Sequence, residues 1–391
     1  MIKMHDQTKD IYSFLISNEI IDNGSHQTIG KSGAIFIELY NKIDVAFHFS
    51  KNVSVNQIEP TKEQPKDFDG IPDLARSYIR NKQLTEYVYQ FSLFAREIII
   101  HFFEETPKKN NHANHIRKII TWLRIINDIS SKTCSNILNI YIYLTSLKKE
   151  LPREGETIGY DNANTGFTRP CLTNSEIIIY REEEWFKVFI HESMHNFGLD
   201  FAMQDGTPEL NAVHQNILSL FHVNSEVNLF EAYTEFWAEL INICFCSFYI
   251  SSTVKEYLFN CESMINIEIN FGFFQMTKIL KFMNITYEDM IENTNNVKEK
   301  YKETTNILSY YVIEMILFYF FQDFLKWCKT NNSPNFIQFR PDNIGKFFNF
   351  IQSKYSNTEL LDLISYYEKM PKKIDHPILN KTLMMSICNY E

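Results

Sequence analysis

A chain of 391 residues that is 45% hydrophobic and 15% aromatic can bury a large core and is too apolar to be disordered. Its net charge of −10, with no basic stripe, argues against a nucleic-acid partner, because phosphate contacts need clustered Lys and Arg. Phe and Tyr are plentiful while Gly and Pro are scarce, which favours long helices with aromatic packing over a turn-rich β-sandwich.

The first expected element is a short amphipathic helix over 10–22. Segments 34–40 and 43–50 are β-branched and aromatic around Asn41-Lys42 and predict a hairpin. Pro60, Pro65, Asp67, Asp69 and Gly70 make 54–70 a loop. Apolar residues at three- and four-residue steps predict a helix over 74–103, opened by Pro72 and ended by the polar break at Pro107, which leaves His112 and His115 solvated. Two further helices are expected at 115–129 and 134–149, stopped by Pro152 and Gly155. The stretch 159–170 is turn-rich and polar, and 175–180 is a compact strand.

Beyond it, the acidic run Arg181-Glu182-Glu183-Glu184 opens a helix that Gly198 stops. Thr207 and Pro208 are cap and first residue of the next helix, to about 222. Helices follow at 227–249, 262–283, 287–295 and 304–329, with a smaller helical tail at 343–354 and 360–370. The predicted class is α+β, predominantly α-helical. It divides into an N-terminal region of hairpin and helices (1–155), a central unit with a small sheet packed on the 185–198 helix (156–330), and a helical appendage (331–391).

The seven cysteines, Cys134, Cys171, Cys244, Cys246, Cys261, Cys328 and Cys388, are odd in number and scattered, with no Cys-x-x-Cys pair. They read as buried free thiols in a reducing compartment. No apolar signal core opens the chain, and the most apolar run, 310–321, is short and interrupted by Glu314. An intracellular protein with no membrane partner is expected.

The chemistry concentrates in His191-Glu192-x-x-His195. Positions four apart share a helix face, so the two imidazoles can grip one metal ion. Glu192, about 100° around the axis, lies beside the ion and can take a proton from its water. The preceding strand, Ile177, Ile178, Ile179 and Tyr180, is assigned as the edge along which an extended substrate adds its hydrogen bonds. A third ligand must come from elsewhere. Phe201 stands where the metzincin pattern has a third His, with Asp200 one residue out of register as a minor candidate.

Glu231-Ala-Tyr-Thr-Glu235, 36 residues after His195, resembles the gluzincin pattern of zinc metallopeptidases. The resemblance implies Glu231 as third zinc ligand and Glu235 as the carboxylate that holds a ligand imidazole, most naturally His191. It also implies a Tyr or His downstream that stabilises the oxyanion. Tyr310 and Tyr311 are the candidates for that role, with His214 and His222 as second choices. Residues 181–201 with 231–239 also look like uncharacterised proteins of large DNA viruses. The Gly-x-Met-Glu-Asn exopeptidase signature is absent, and 164–168 occupies its place.

The reading is a zinc-dependent endopeptidase with one Zn2+, a peptide or protein substrate and Glu192 as general base. Its rivals are a zinc hydrolase of a non-peptide amide using the same residues, and a scaffold with a structural or degenerate site. The scaffold requires a fourth protein ligand in place of water.

Overall fold

Ile98, Ile100 and Phe102, and after them Leu138, Ile140 and Ile142, are completely buried at a period of two, as side chains on one face of a sheet must be. They lie in the centre of a six-stranded mixed sheet, seen in a computed structural model that describes residues 6–18, 20, 27–61, 64–106, 112–370 and 374–389. The strands are β1 (Asn56–Ile58), β2 (Thr85–Leu93), β3 (Arg96–Glu104), β4 (Ile137–Leu144), β5 (Gly166–Thr168) and β6 (Asn174–Ile179). Their spatial order is β1-β2-β3-β4-β6-β5. β3, β4 and β6 run parallel, while β1, β2 and β5 join antiparallel.

The first helices are α1 (Asp6–Ser17), α2 (Gly33–Ser50), α3 (Asp73–Asn81), α4 (His112–Asn127), α5 (Tyr160–Ala163) and α6 (Trp185–Asn196). There follow α7 (Pro208–Leu220), α8 (Leu229–Ile250), α9 (Val254–Phe282), α10 (Tyr287–Glu292) and α11 (Val297–Lys300). A π-helical turn, Leu308–Ile313, runs directly into α12 (Glu314–Tyr319). The last are α13 (Phe321–Asn331), α14 (Ile344–Gln352), α15 (Thr358–Glu368) and α16 (Pro377–Lys381). The predominantly helical α+β class is correct, at 56% helix.

The chain forms two interleaved compact units, and neither residue 155 nor residue 330 is a boundary between them. A sheet unit comprises Ile35–Lys148 and Asn164–Met203; a helical unit comprises Met1–Ala34, Lys149–Ala163 and Gln204–Glu391.

In the sheet unit, α6 packs on β5 and β6. The opposite face of β4 and β6, with Tyr141, Tyr143, Ile178 and Tyr180, packs against Phe68, Ile71, Ala75 and Ile79. Several local expectations fail here. The expected hairpin at 34–50 is the single helix α2, because Ile35, Phe36, Leu39, Ile43 and Ala46 are buried at helical spacing. The helix expected over 74–103 is α3 followed by the β2–β3 hairpin, whose two-residue turn holds Phe94 at φ +56°. The helix expected over 134–149 is β4, an apolar run whose period the sequence leaves ambiguous. His112 is buried rather than solvated: its ring stacks on Phe102 and bonds to Tyr89 Oη at 2.9 Å and Glu104 at 3.0 Å. The expected break at 107–111 and the end of the first expected helix at 21–22 lie outside the described residues.

The cysteines divide. Cys134 and Cys171 form a disulfide with a Cα–Cα separation of 4.6 Å, while Cys244, Cys246, Cys261, Cys328 and Cys388 are free and buried as expected. The two bonded residues lie just before β4 and β6, and the parallel pairing of those strands brings them together. Nothing in local cysteine spacing reveals such a pair.

In the helical unit, α8 is buried from Leu229 to Ser247 apart from Glu231, as a helix at the centre of a bundle must be. Tyr233 packs edge-on against Phe324 and Phe339, Phe236 edge-on against Phe324, and Trp237 tilted against Phe336. Residues 382–388 thread into this core without regular secondary structure. Gln275 donates to the Met384 carbonyl (2.6 Å) and Asn242 to that of Cys388 (2.8 Å). The buried Glu268 carboxylate accepts from Ser386 Oγ (2.6 Å) and the Ile387 and Cys388 amides (3.1 and 2.7 Å). No single helix among the described residues is long and apolar enough to cross a membrane; one pair, Leu308–Tyr319 with Phe321–Asn331, passes jointly by length and composition but is bent by 90°.

Candidate metal centre

Every residue of α6 is buried, including His191, Glu192 and His195. The helix starts where Glu184 turns through the left-handed region at φ +58°, and ends at Gly198, whose φ of +64° reverses the chain. Its polar residues are pinned from several directions. Trp122 Nε1 of α4 donates to Ser193 Oγ at 2.6 Å. Asn196 Nδ2 donates to Thr168 Oγ1 of β5 at 2.8 Å. Asn196 Oδ1 accepts from Ser135 Oγ and from Ser175 Oγ of β6.

The Nε2 atoms of His191 and His195 converge to 3.1 Å. Two nitrogens on one tetrahedral zinc stand roughly 3.3 Å apart, so the pair has the spacing of ligands to a common ion. The far nitrogen of His195, Nδ1, is hydrogen-bonded to Asp200 Oδ2, and Asp200 Oδ1 accepts from the Ala202 amide at 3.2 Å. With a carboxylate on Nδ1, the ring carries its proton there and directs the Nε2 lone pair inward. Asp200 therefore orients His195, where the sequence offered Asp200 as a minor candidate ligand. Phe201, at the metzincin position, is buried and apolar.

Glu192 lies against the backbone of β5. A Cβ on Gly166 would fall 2.7 Å from Glu192 Oε1 and 2.7 Å from its Cγ, so only glycine allows this approach. This strand is the edge of the sheet. The edge role assigned to Ile177, Ile178, Ile179 and Tyr180 is overturned: β6 pairs with β4 on one side and β5 on the other, and all four residues are fully buried. The Tyr180 amide bonds to the Thr165 carbonyl at 2.9 Å. By antiparallel alternation the main-chain groups of Gly166 and Thr168 turn away from β6, toward the open edge.

In the helical unit, Glu231 lies in the first turn of α8 and is half-buried. Tyr310 Oη donates to Glu231 Oε2 at 3.0 Å. The π-helical turn that carries Tyr310 is anchored by Ser309 Oγ on the Asn228 carbonyl, at 2.9 Å. Tyr311 points elsewhere: its hydroxyl donates to the Leu383 carbonyl at 2.5 Å within the core, so of the two adjacent tyrosines only Tyr310 is beside an expected ligand. Glu235 and Glu239 follow at one-turn intervals and are buried, so they are not an exposed acidic stripe.

Tyr160 is half-exposed, and its phenol is pushed up by burial and by Glu226, Glu231 and Glu303. Burial lowers His214 to about 4, with Asp205 opposing; its neutral Nε2 accepts from the Leu229 amide at 3.4 Å. That ties His214 to the start of α8 as a helix anchor. His222 lines a surface depression with Gln215, Lys298 and Glu299.

Asp200, Gly166 and Asn196 were not identified in these roles from the sequence. Asn196 and Gly166 gave a faint signal, as a polar residue ending an apolar helix and a glycine within a polar loop. No family model, curated protein or solved structure matches the chain.

Proposed function

We propose that the chain is a metal-dependent peptidase in which His191, His195 and Glu231 hold one zinc ion. The observation that carries this reading is the converging Nε2 pair of His191 and His195, with Asp200 on the far nitrogen of His195. The donor chemistry fits, since two neutral imidazoles and one carboxylate are a ligand set that zinc takes in hydrolases. Bound there, zinc would lower the pKa of a water to about 7 and polarise a carbonyl.

The chain's own residues do the rest. Glu192 takes the proton of the attacking water and hands it to the leaving amine. Tyr310 offers a hydroxyl donor to the oxygen that gains charge. Glu235 holds the far side of His191, as the gluzincin resemblance implies. The open edge of β5, next to Glu192, suits an extended peptide that adds as a further strand through Gly166 and Thr168. A small non-peptide amide has no use for such an edge, which favours a peptide substrate within a chain.

The test joins metal analysis to a peptide-library assay. One zinc per chain and cleavage by wild type, abolished in Glu192→Gln with zinc retained, is the expected result. Equal cleavage by both proteins, or a wild type that binds no zinc, sinks the reading.

A further inference from the structure

We infer that the Cys134–Cys171 disulfide is a redox-operated lock on β5 and on the ligand-bearing end of α6, a regulatory device that rests on the metal site proposed above. The bridge ties the turn between β5 and β6 to the loop that enters β4. Three contacts carry its state to the site.

The first is the Gly198 turn. A Cβ on Gly198 would lie 3.6 Å from Cys134 Sγ and 3.7 Å from Cys171 Cβ, so the bridge is packed directly against it. That turn separates His195 from Asp200, the carboxylate on its ring. Two unbonded sulfurs need more room than a bonded pair, and the room beside them is occupied by this turn.

The second is Asn196. Ser135, next to Cys134, donates its hydroxyl to Asn196, and its amide bonds to the Leu172 carbonyl at 2.7 Å, next to Cys171. Asn196 in turn holds Thr168 of β5. Breaking the bridge loosens both ends of this path at once.

The third is backbone conformation. Cys171 and Ser135 have φ of +47° and +57°, in the left-handed region that residues with a Cβ occupy at a cost and only when their surroundings impose it. Cys171 is one half of the bridge, and Ser135 directly follows the other half.

The reaction needs a dithiol reductant. Its thiolate attacks the Sγ of Cys171, the half-buried cysteine of the pair, at an exposed turn. The S–S bond breaks and its electron pair leaves on Cys134 Sγ, which takes a proton. The reductant's second thiol then attacks the mixed disulfide and releases Cys171 as a thiol. The reductant is oxidised to its own disulfide, and the protein gains two electrons and two protons.

The experiment compares the oxidised full chain with the same protein reduced by dithiothreitol and alkylated with iodoacetamide. Hydrogen exchange over 165–173 and 195–202 is the first readout, and zinc titration the second. Before reduction, Cys134 and Cys171 are expected to resist alkylation. After it, exchange in both segments is expected to quicken about tenfold and zinc affinity to fall about tenfold, with both recovering when unalkylated protein is reoxidised. Exchange that is the same in the two states, or free alkylation of both cysteines without reductant, overturns the lock. If exchange responds but neither state binds zinc, the lock stands and the metal reading falls. A Cys134→Ser/Cys171→Ser variant is expected to match the reduced protein; should it not fold, the reduced wild type still decides.

Discussion

Trp185–Asn196 and Leu229–Ile250 are both buried helices carrying candidate ligands, but their surroundings differ in kind. The polar side chains of α6 meet polar partners: Ser193 meets Trp122, His195 meets Asp200, and Asn196 meets Ser135, Thr168 and Ser175. Around α8 the neighbours are mostly aromatic, and the contact that fixes Glu231 comes from Tyr310 on the π-helical turn. Hydrogen bonds have direction and set which way an imidazole faces, whereas apolar packing sets position and leaves orientation to few contacts. The helical unit also buries ionisable groups among main-chain atoms. Glu303, pushed up to about 7 by burial, caps the π-helical turn through the Ile307 and Leu308 amides. Solution pH should therefore act on the helical unit, and redox state on the sheet unit.

The largest expected effect tests the α6 side. Glu192→Gln is expected to lower peptide hydrolysis by about 10³-fold, near the middle of the range for a general base, while zinc content measured by mass spectrometry stays unchanged. On the α8 side, Tyr310→Phe is expected to cut kcat about 10²-fold with little change in KM. A change in KM alone would reduce Tyr310 to packing and weaken the contrast.

Glu303 allows a sign to be predicted. Its folded value of about 7 lies above its ordinary 4.5, so the folded protein holds the proton more tightly and stability falls as pH rises from 4.5 to 7. Glu303→Gln is expected to be more stable than wild type at pH 8 by up to about 3 kcal/mol and indistinguishable from it at pH 4, as read by urea denaturation. The opposite order at pH 8 would mean that the charged cap outweighs its burial. Asp200→Ala is expected to weaken zinc binding roughly 10–100-fold without unfolding the sheet unit, measured by competitive chelation. The smallest effect is that of Gly166→Ala. Crowding of Glu192 is expected to cost about 1–2 kcal/mol in thermal denaturation and to reduce kcat more than KM. Unchanged kinetics would separate β5 from the chemistry.

The sequence was most informative where chemistry and local period coincide. His191 and His195 could be paired because four residues are one helical turn, and the cap formed by Thr207 and Pro208 depends on neighbours only. It was least informative where a role depends on a distant strand. Ile177–Ile179 looked like an edge because a β-prone run does not say what pairs with it, and the short, polar β5 gave no strand signal. β4 and the β2–β3 hairpin read as helices from sequence because dense apolar runs satisfy both periods. Asp200 reads as a candidate ligand because one-dimensional spacing cannot distinguish a metal-binding group from one that bonds to the ring behind it.

The threading of 382–388 through the helical unit has a consequence for biosynthesis. Tyr311, Asn242, Glu268 and Gln275 all take partners from those residues, which leave the ribosome after every helix they bind. A nascent chain halted before Thr382 would hold Glu268 and the hydroxyl of Tyr311 in an apolar interior without these partners, a costly state. The helical unit is thus expected to close only after residues 382–388 have emerged and docked. Ribosome-bound chains stalled on either side of that segment, compared by limited proteolysis, would show whether closure waits for it.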